Sequence, residues 1–163
     1  MIGVAITTTP ERPEFLAAAL EAWARVGPDV LVVINDREHV GVAHSKNRCL
    51  SALMRAGCDH LVLTDDDCRP TVADPLTPYI TDPMPHLMWC WGRKRLLDND
   101  GHYTTWGHPR GVMLYVERRV VETVGGMRTE FGRGGSEHVE WSRRIHQAGF
   151  TPSAYTDLTA SPK

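Results

Sequence analysis

The residues Leu61-Val62-Leu63-Thr64-Asp65-Asp66-Asp67 decide how this sequence is read. An apolar run of strand length ends on three carboxylates. A run without polar alternation suits a strand covered on both faces, as in a parallel sheet. Open α/β sheets bind ligands beyond the carboxyl ends of their strands, which is where these aspartates fall. In an extended segment, residues i and i+2 point the same way, so Asp65 and Asp67 are expected to share one direction. Two carboxylates so placed repel each other unless protonated or bridged by a cation. A hard divalent ion such as Mg²⁺ or Mn²⁺, held by one or two carboxylates and by phosphate oxygens, removes that repulsion. The plainer alternative is an acidic turn, with Asp67 capping whatever follows.

Upstream, the pattern alternates strand and helix. Residues 2–8 read as a short buried strand. Pro13 suits the first position of a helix whose stripe is Phe15, Leu16, Ala19, Leu20 and Trp23, and Gly27-Pro28 ends it. Val30-Leu31-Val32-Val33-Ile34 reads as a second strand covered on both faces. A second helix is expected over roughly residues 43–56, with Leu50, Leu53 and Met54 inward and Gly57 as its stop. The first 64 residues thus read β-α-β-α-β. That is the pattern of an α/β, doubly wound, mainly parallel sheet.

Downstream, two strands around Leu87–Leu97 and His102–Trp106 are expected to form a β-hairpin about the turn signal Asn99-Asp100-Gly101. A strand at Val112–Val116 leads into a short helix at 117–124 and the breaker Gly125-Gly126. A glycine-rich loop reaches Ser136, and a final helix runs from about Glu137 to Gly149. With 163 residues and no repeat, low-complexity tract or linker, the chain reads as one domain spanning 1–163. Its halves are a nucleotide-type front (1–70) and a variable back (71–163).

Composition adds bounds. The chain is 42% apolar and 23% charged, ordinary for a globular protein, and its net charge of −2 gives no electrostatic argument for a nucleic-acid or membrane partner. The amino terminus lacks a charged leader, and no apolar run approaches the ~18 residues of a membrane span, so a soluble, cytoplasmic protein without a membrane segment is expected. Cys49, Cys58, Cys68 and Cys90 show no C-x-x-C spacing, and reduced thiols are expected.

Other candidate residues cluster at strand ends and helix starts. The loop Thr7-Thr8-Thr9-Pro10-Glu11-Arg12-Pro13 offers hydroxyls, backbone N–H groups and a guanidinium to a nucleotide, or simply caps a helix. Asp36 offers a carboxylate to a ribose hydroxyl or a base N–H, or else belongs to a turn. Lys46 and Arg48 lie early in the second helix, where cations oppose the helix dipole, which suggests that one of them answers to an anion. Helical spacing puts Glu137, Glu140, Trp141 and Arg144 on one face. There Glu137 is a candidate general base behind Gly134-Gly135, Ser136 a candidate N-cap, and His138 an alternative base or ligand. Trp89, Trp91, Trp106 and Trp141 fall in the back half, where flat rings either pack in a core or stack on sugars or bases.

Taken together, these motifs resemble the glycosyltransferase-A fold, especially its large inverting family 2 and its galactosyl- and N-acetylgalactosaminyltransferase relatives. The opening Thr8-Thr9-Pro10-Glu11-Arg12-Pro13 region is similar to the first nucleotide loop, and Asn35-Asp36 to the acidic end of the second strand. Gly41–Asn47 resembles a G-x-x-x-A-R-N segment with Lys46 in place of Arg. Asp65-Asp66-Asp67 resembles the D-x-D metal motif, and Gly125–Arg128 with Gly134–Glu140 resembles the acceptor region. The likeness implies a metal-dependent transferase acting on a nucleotide-sugar donor, with a UDP-sugar expected, and inversion at the sugar.

In that reading Thr7, Thr8, Thr9, Pro10, Arg12, Asp36, Lys46, Asp65 and Asp66 hold the donor, while Asp65 and Asp67 hold Mn²⁺ or Mg²⁺. Trp91, Trp106, Gly135, Glu140 and Trp141 meet the acceptor, and Glu137 or His138 is the base. The acceptor is open: a saccharide, a small molecule, or a hydroxylated DNA base suited to the positive charge of Arg93-Lys94-Arg95, Arg110 and Arg118-Arg119. Two alternatives stand beside it. A nucleotidyltransferase would carry a glycine-rich G-x-G-x-R loop after the first strand. A non-catalytic nucleotide-sugar or glycan-binding module would need neither the metal pair nor Glu137. Oligomeric state is not legible.

Overall fold

The computed structural model describes residues 1–90, 95–107, 109–132 and 134–159. Strand β1 (Ile2–Thr8), helix α1 (Pro13–Val26), β2 (Val30–Asn35), α2 (Val42–Arg55) and β3 (His60–Asp65) follow the alternation read in the sequence. Both β2 and β3 pair parallel with β1, Thr8 facing Asn35 and Thr7 facing Asp65. After the short helix α3 (Thr77–Ile80) come β4 (His86–Cys90), β5 (Leu96–Asn99), β6 (Tyr103–Trp106) and β7 (Gly111–Glu117). Helices α4 (Arg118–Val124) and α5 (Glu137–Gln147) and strand β8 (Thr156–Leu158) complete the described chain. The main sheet has the order β2-β1-β3-β7-β4. Strand β7 runs antiparallel to both β3 and β4, so the other four strands share one direction. The architecture is an open, mainly parallel α/β sheet, as expected.

Its core has two layers. On one face Ala43, Leu50 and Leu53 of α2 and Trp141 and Ile145 of α5 pack on Ala5, Leu61, Leu63, Met88 and Leu114. On the other, Ala19 and Trp23 of α1 and Tyr79 of α3 pack on Val4, Ile6, Val62, Leu87 and Tyr115. Successive residues of β1 and β3 enter opposite layers, which is why those strands carry no polar alternation.

Several expectations need correction. The strand expected over Leu87–Leu97 is two strands: β4 joins the main sheet beside β7, and only β5 pairs with β6 about Asn99–Gly101. That hairpin joins β8 in a second sheet of order β5-β6-β8. Strand β2 is the sheet edge, so its apolar run is half-buried throughout instead of covered on both faces. Phe15 leaves the inward stripe of α1; it is exposed, and the Arg12 guanidinium lies over its ring, 4.7 Å from the centroid. Short α3 and β8 had no clear periodicity in the sequence.

Among the described residues, no helix is long and apolar enough to cross a membrane. The four cysteines are free thiols.

Candidate functional site

The carboxyl ends of β1, β2 and β3 open into a pocket of about 360 Å³. Its walls combine Thr7–Thr9 and Arg12 with Asp36 and the aspartate run 65–67. Sequence reasoning placed these residues at the site, and the fold brings them to one cavity. Lys46 is not part of that wall, and neither is Pro10, which sits in the turn that Arg12 N–H closes on Thr9 O at 3.2 Å. Val42 and Ser45 of the Gly41–Asn47 segment also line the pocket, as does His39, which was not singled out. The signal that finds them is positional: they belong to the loop after β2 and the first turns of α2, at the same strand edge.

The three aspartates differ in environment. Asp65 ends β3, whereas Asp66 and Asp67 form a turn in which Cys68 N–H donates to Asp65 O at 3.1 Å. Asp65 and Asp67 thus reach the pocket from the two sides of a turn, not by the extended i, i+2 alternation expected. Asp65 Oδ1 accepts from Lys46 Nζ at 2.6 Å and from the Thr7 hydroxyl. Burial pushes the Asp65 carboxyl up, but the Lys46 ammonium and the Thr7 hydroxyl outweigh it and hold it below the ordinary range. Asp66 is buried; Thr8 Oγ1 donates to its Oδ2 at 2.6 Å, and Arg12 Nη2 forms an ion pair with its Oδ1 at 3.0 Å. Desolvation dominates there and raises its carboxyl despite those partners. Exposed Asp67 receives Arg12 Nη2 on Oδ2 at 2.9 Å.

Whether this site suits a divalent ion is a question of donors. Asp65 Oδ2 and Asp67 Oδ1 accept no hydrogen bond among the described residues, so two hard carboxylate oxygens remain open. No group of three or more His, Cys, Asp or Glu is gathered to hold a metal among those residues. The site thus fits an ion that takes one or two carboxylates and completes its shell with phosphate oxygens and water, as Mg²⁺ and Mn²⁺ do.

Other expectations change when partners are counted. The anion that Lys46 answers is Asp65 itself, with Thr64 O accepting a second bond at 2.8 Å, so Lys46 supports the site from beneath. Asp36 spends both oxygens on its own loop, accepting from Val40 N–H at 2.9 Å and Gly41 N–H at 3.0 Å. Burial opposes its ionisation, yet those two N–H groups win and lower its carboxyl. The loop turns at His39, whose φ of 51° is uncommon outside glycine. His39 Nε2 faces Glu11 Oε1 at 3.3 Å across the pocket mouth.

The second cluster reaches the same edge by another route. Thr64 of β3 faces Met113 of β7, so Gly111, two residues nearer the start of β7, lies level with the aspartate turn. Gly111 N–H points at His138 Nε2, 3.3 Å away, and His138 Nδ1 lies 3.1 Å from Glu137 Oε1. Glu137 is buried, with Oε2 making no hydrogen bond among the described residues. Burial pushes its carboxyl up, but the His138 ring and the backbone N–H groups of Glu137 and Gly135 together hold it below the ordinary range. Gly135 and Ser136 both take positive φ, 103° and 73°, to bring the chain into α5. Ser136 therefore stands at the N-cap position without a capping side-chain bond, a correction to its expected role.

Further acceptor candidates fall away. Trp141 is fully buried, its Nε1 donating to Gly125 O at 2.8 Å, so no ligand reaches its ring. Half-buried Trp106 packs against the core. Glu140 Oε1 is held by Arg144 Nε at 2.7 Å and by Arg128 Nε at 3.3 Å, which braces the loop before α5. Trp91, Arg93 and Lys94 lie outside the described residues. Arg118 and Arg119 follow β7 at the opposite sheet edge, where Arg118 binds Cys58 O and Met54 O, so they add no charge to this site. Trp89 instead lines a cleft of about 350 Å³ with Asp67, Arg69 and Val112, beside the pocket.

No protein-family model matches the chain, and no curated protein sequence matches it. Among solved structures it is similar to the mannosyltransferase PcManGT from Pyrobaculum calidifontis, seen in complex with GDP-Man and Mn²⁺, at 18% identity over 91% of this chain and a TM-score of 0.62. It is also similar to the catalytic domain of Drosophila β1,4-galactosyltransferase 7 in complex with xylobiose, at 19% identity over 99% of this chain and a TM-score of 0.67. A mutant of that galactosyltransferase, in complex with manganese, UDP-Gal and xylobiose, matches at 20% identity over 92% of this chain and a TM-score of 0.64. The chain spans 52%, 68% and 63% of the lengths of these three. It therefore has the nucleotide-sugar glycosyltransferase fold of the A type.

Proposed function

We propose that the protein is a metal-dependent glycosyltransferase that moves a sugar from a nucleotide-sugar donor to an acceptor hydroxyl with inversion. The observation that carries this reading is the convergence of Asp65, Asp66 and Asp67 on a pocket at the carboxyl edge of β1, β2 and β3. The nucleotide lies along the loop from Thr7 to Arg12 and against Asp36. Asp65 and Asp67 hold the ion, which when bound supplies Lewis-acid stabilisation to the departing diphosphate. Thr7 and Lys46 keep Asp65 ionised and oriented, and Arg12 links Asp66 to Asp67. Glu137 takes the proton of the acceptor hydroxyl as that oxygen attacks the anomeric carbon.

A UDP-sugar is our first donor; of the similar structures, one holds UDP-Gal and another GDP-Man. Free thiols suit a reducing, cytoplasmic setting. The alternative is a nucleotidyltransferase; the Thr9-Pro10-Glu11-Arg12 segment that follows β1 is not the glycine-rich loop which that reading expects. The deciding experiment is a screen of UDP- and GDP-sugars with Mn²⁺, reading release of free nucleoside diphosphate with and without saccharide and hydroxylated-DNA acceptors. Release that EDTA abolishes is the expected result. Binding without release from any donor would leave only a sugar-nucleotide-binding module.

A further inference from the structure

A backbone amide has a proton and no lone pair to offer, so it can only donate. Gly111 N–H, 3.3 Å from His138 Nε2, therefore requires Nε2 to be the bare nitrogen of the ring. The ring proton then sits on Nδ1, 3.1 Å from Glu137 Oε1, and points at that carboxylate. Protonating Nε2 as well would set one N–H against another. Both imidazole nitrogens are thus engaged, whereas Glu137, with 7% of its side chain exposed, keeps Oε2 buried and without a hydrogen-bond partner.

Gly111 is part of the device. A Cβ at that position would meet His138 Cδ2 at 3.1 Å, Leu114 Cδ2 at 3.0 Å and Met88 Cγ at 3.1 Å. A side chain there would press on the ring and on Leu114 and Met88, each of which would have to give by a few tenths of an ångström.

We infer that His138 is a positioning residue whose Nδ1–H, fixed by Gly111, holds Oε1 and so orients the Glu137 carboxylate that receives the acceptor's proton. The last clause rests on the glycosyltransferase reading; the hydrogen-bond chain does not. In the step itself the acceptor oxygen bonds to the anomeric carbon and the bond from that carbon to the diphosphate oxygen breaks. The hydroxyl proton passes to the Glu137 carboxylate, the nucleoside diphosphate departs with its electron pair, and His138 keeps its own proton throughout.

Two arms test this on the full chain. Long-range ¹H–¹⁵N correlation at neutral pH should show His138 as the Nδ1–H tautomer; an Nε2–H ring would overturn the inference whether or not any sugar is transferred. With an active donor–acceptor pair, His138→Ala should lower kcat by roughly 10–100-fold, the worth of one hydrogen bond to a charged group, with the donor KM unchanged. His138→Asn, which can still present an N–H, should recover part of that loss. The Glu137→Gln/His138→Ala double variant should be no slower than Glu137→Gln alone, because His138 acts only through Glu137. A double variant much slower than Glu137→Gln would overturn the assignment. A chain that releases no nucleotide from any donor would defeat the glycosyltransferase reading, and the tautomer arm would still decide the Gly111–His138–Glu137 chain.

Discussion

Lys46 Nζ lies 2.6 Å from Asp65 Oδ1, so the cation at the start of α2 is the counter-ion of the aspartate that ends β3. Lys46 is 6% exposed and Asp65 37% at their side chains, so one partner of the pair is buried and the other meets solvent. Removing Lys46 strands a half-buried carboxylate. Lys46→Met should cost about 1–3 kcal/mol, less than the ~3–5 of a fully buried pair because solvent screens Asp65. A double-mutant cycle with Asp65→Asn, read by urea denaturation, should recover much of that cost. Additive losses would mean that the contact contributes little.

Metal dependence separates the aspartates by what else they do. Asp67 is exposed and its side-chain ion pair is with Arg12, so Asp67→Asn should leave the thermal midpoint within a few degrees. It should weaken Mn²⁺-supported nucleoside-diphosphate binding and remove most transfer. Asp66→Asn should behave differently, because its buried carboxylate accepts from Thr8 and pairs with Arg12. Its first effect should be on stability. Calorimetry with and without EDTA checks both, and undiminished transfer by Asp67→Asn would remove Asp67 from the ion's shell.

The sequence carried the β-α-β-α-β half almost to the residue, because β1 and β3 are buried on both faces and the helices bear clean stripes. It also carried the aspartates to the right strand end. What it could not carry were choices made by partners distant in the chain. That β4 leaves the hairpin for β7 depends on a pairing invisible in local pattern. Trp141 reads first as core and second as a ligand platform, and only Gly125 O and α2 closing around it decide for core. Lys46 reads as answering to an anion, but that the anion is Asp65 is not local information, nor is the binding of Arg118 to backbone carbonyls.

Asn47 is such a case with a consequence for activity. Its Nδ2 donates to Met127 O at 2.7 Å and its Oδ1 accepts from Met127 N–H at 2.7 Å, tying α2 to the segment that leads to Glu137. Asn47→Asp sets a carboxylate against Met127 O and should destabilise by about 1–3 kcal/mol. Nucleotide binding should persist while transfer falls. Equal stability by urea denaturation would show that the clasp contributes nothing.

His86 gives the fold a pH dependence of known sign. Its Nδ1 donates to Tyr115 O at 2.7 Å and its Nε2 meets Ser142 Oγ at 2.8 Å, which fixes a neutral ring between sheet and α5. Burial lowers its pKa to about 4 from an ordinary 6.5. Above pH 6.5 both folded and unfolded rings are neutral and the group costs nothing. Between those values only the unfolded chain takes the proton, so stability should fall by ~1.4 kcal/mol per pH unit as the pH drops, about 3 kcal/mol in all. Urea midpoints for the native chain and His86→Asn should converge over that window. Parallel curves would show that His86 is not the group responsible.

The proton acceptor is decided by comparing three substitutions on one donor–acceptor pair. Glu137→Gln keeps size and hydrogen bonding but cannot take a proton, so transfer should fall by roughly 10²–10⁴-fold while nucleotide binding stays intact. Glu140→Gln should act through stability, because Glu140 Oε1 is held by Arg144 and Arg128 in the brace before α5. His138→Ala should be milder than Glu137→Gln, since both ring nitrogens are already engaged. The pH profile adds an independent check. With its carboxyl held below the ordinary 4.5, Glu137 stays ionised throughout the neutral range and imposes no loss of rate near pH 6. Near-normal turnover by Glu137→Gln, together with a severe loss in His138→Ala, would transfer the role to His138 and reduce Glu137 to a carboxylate that steadies the start of a helix.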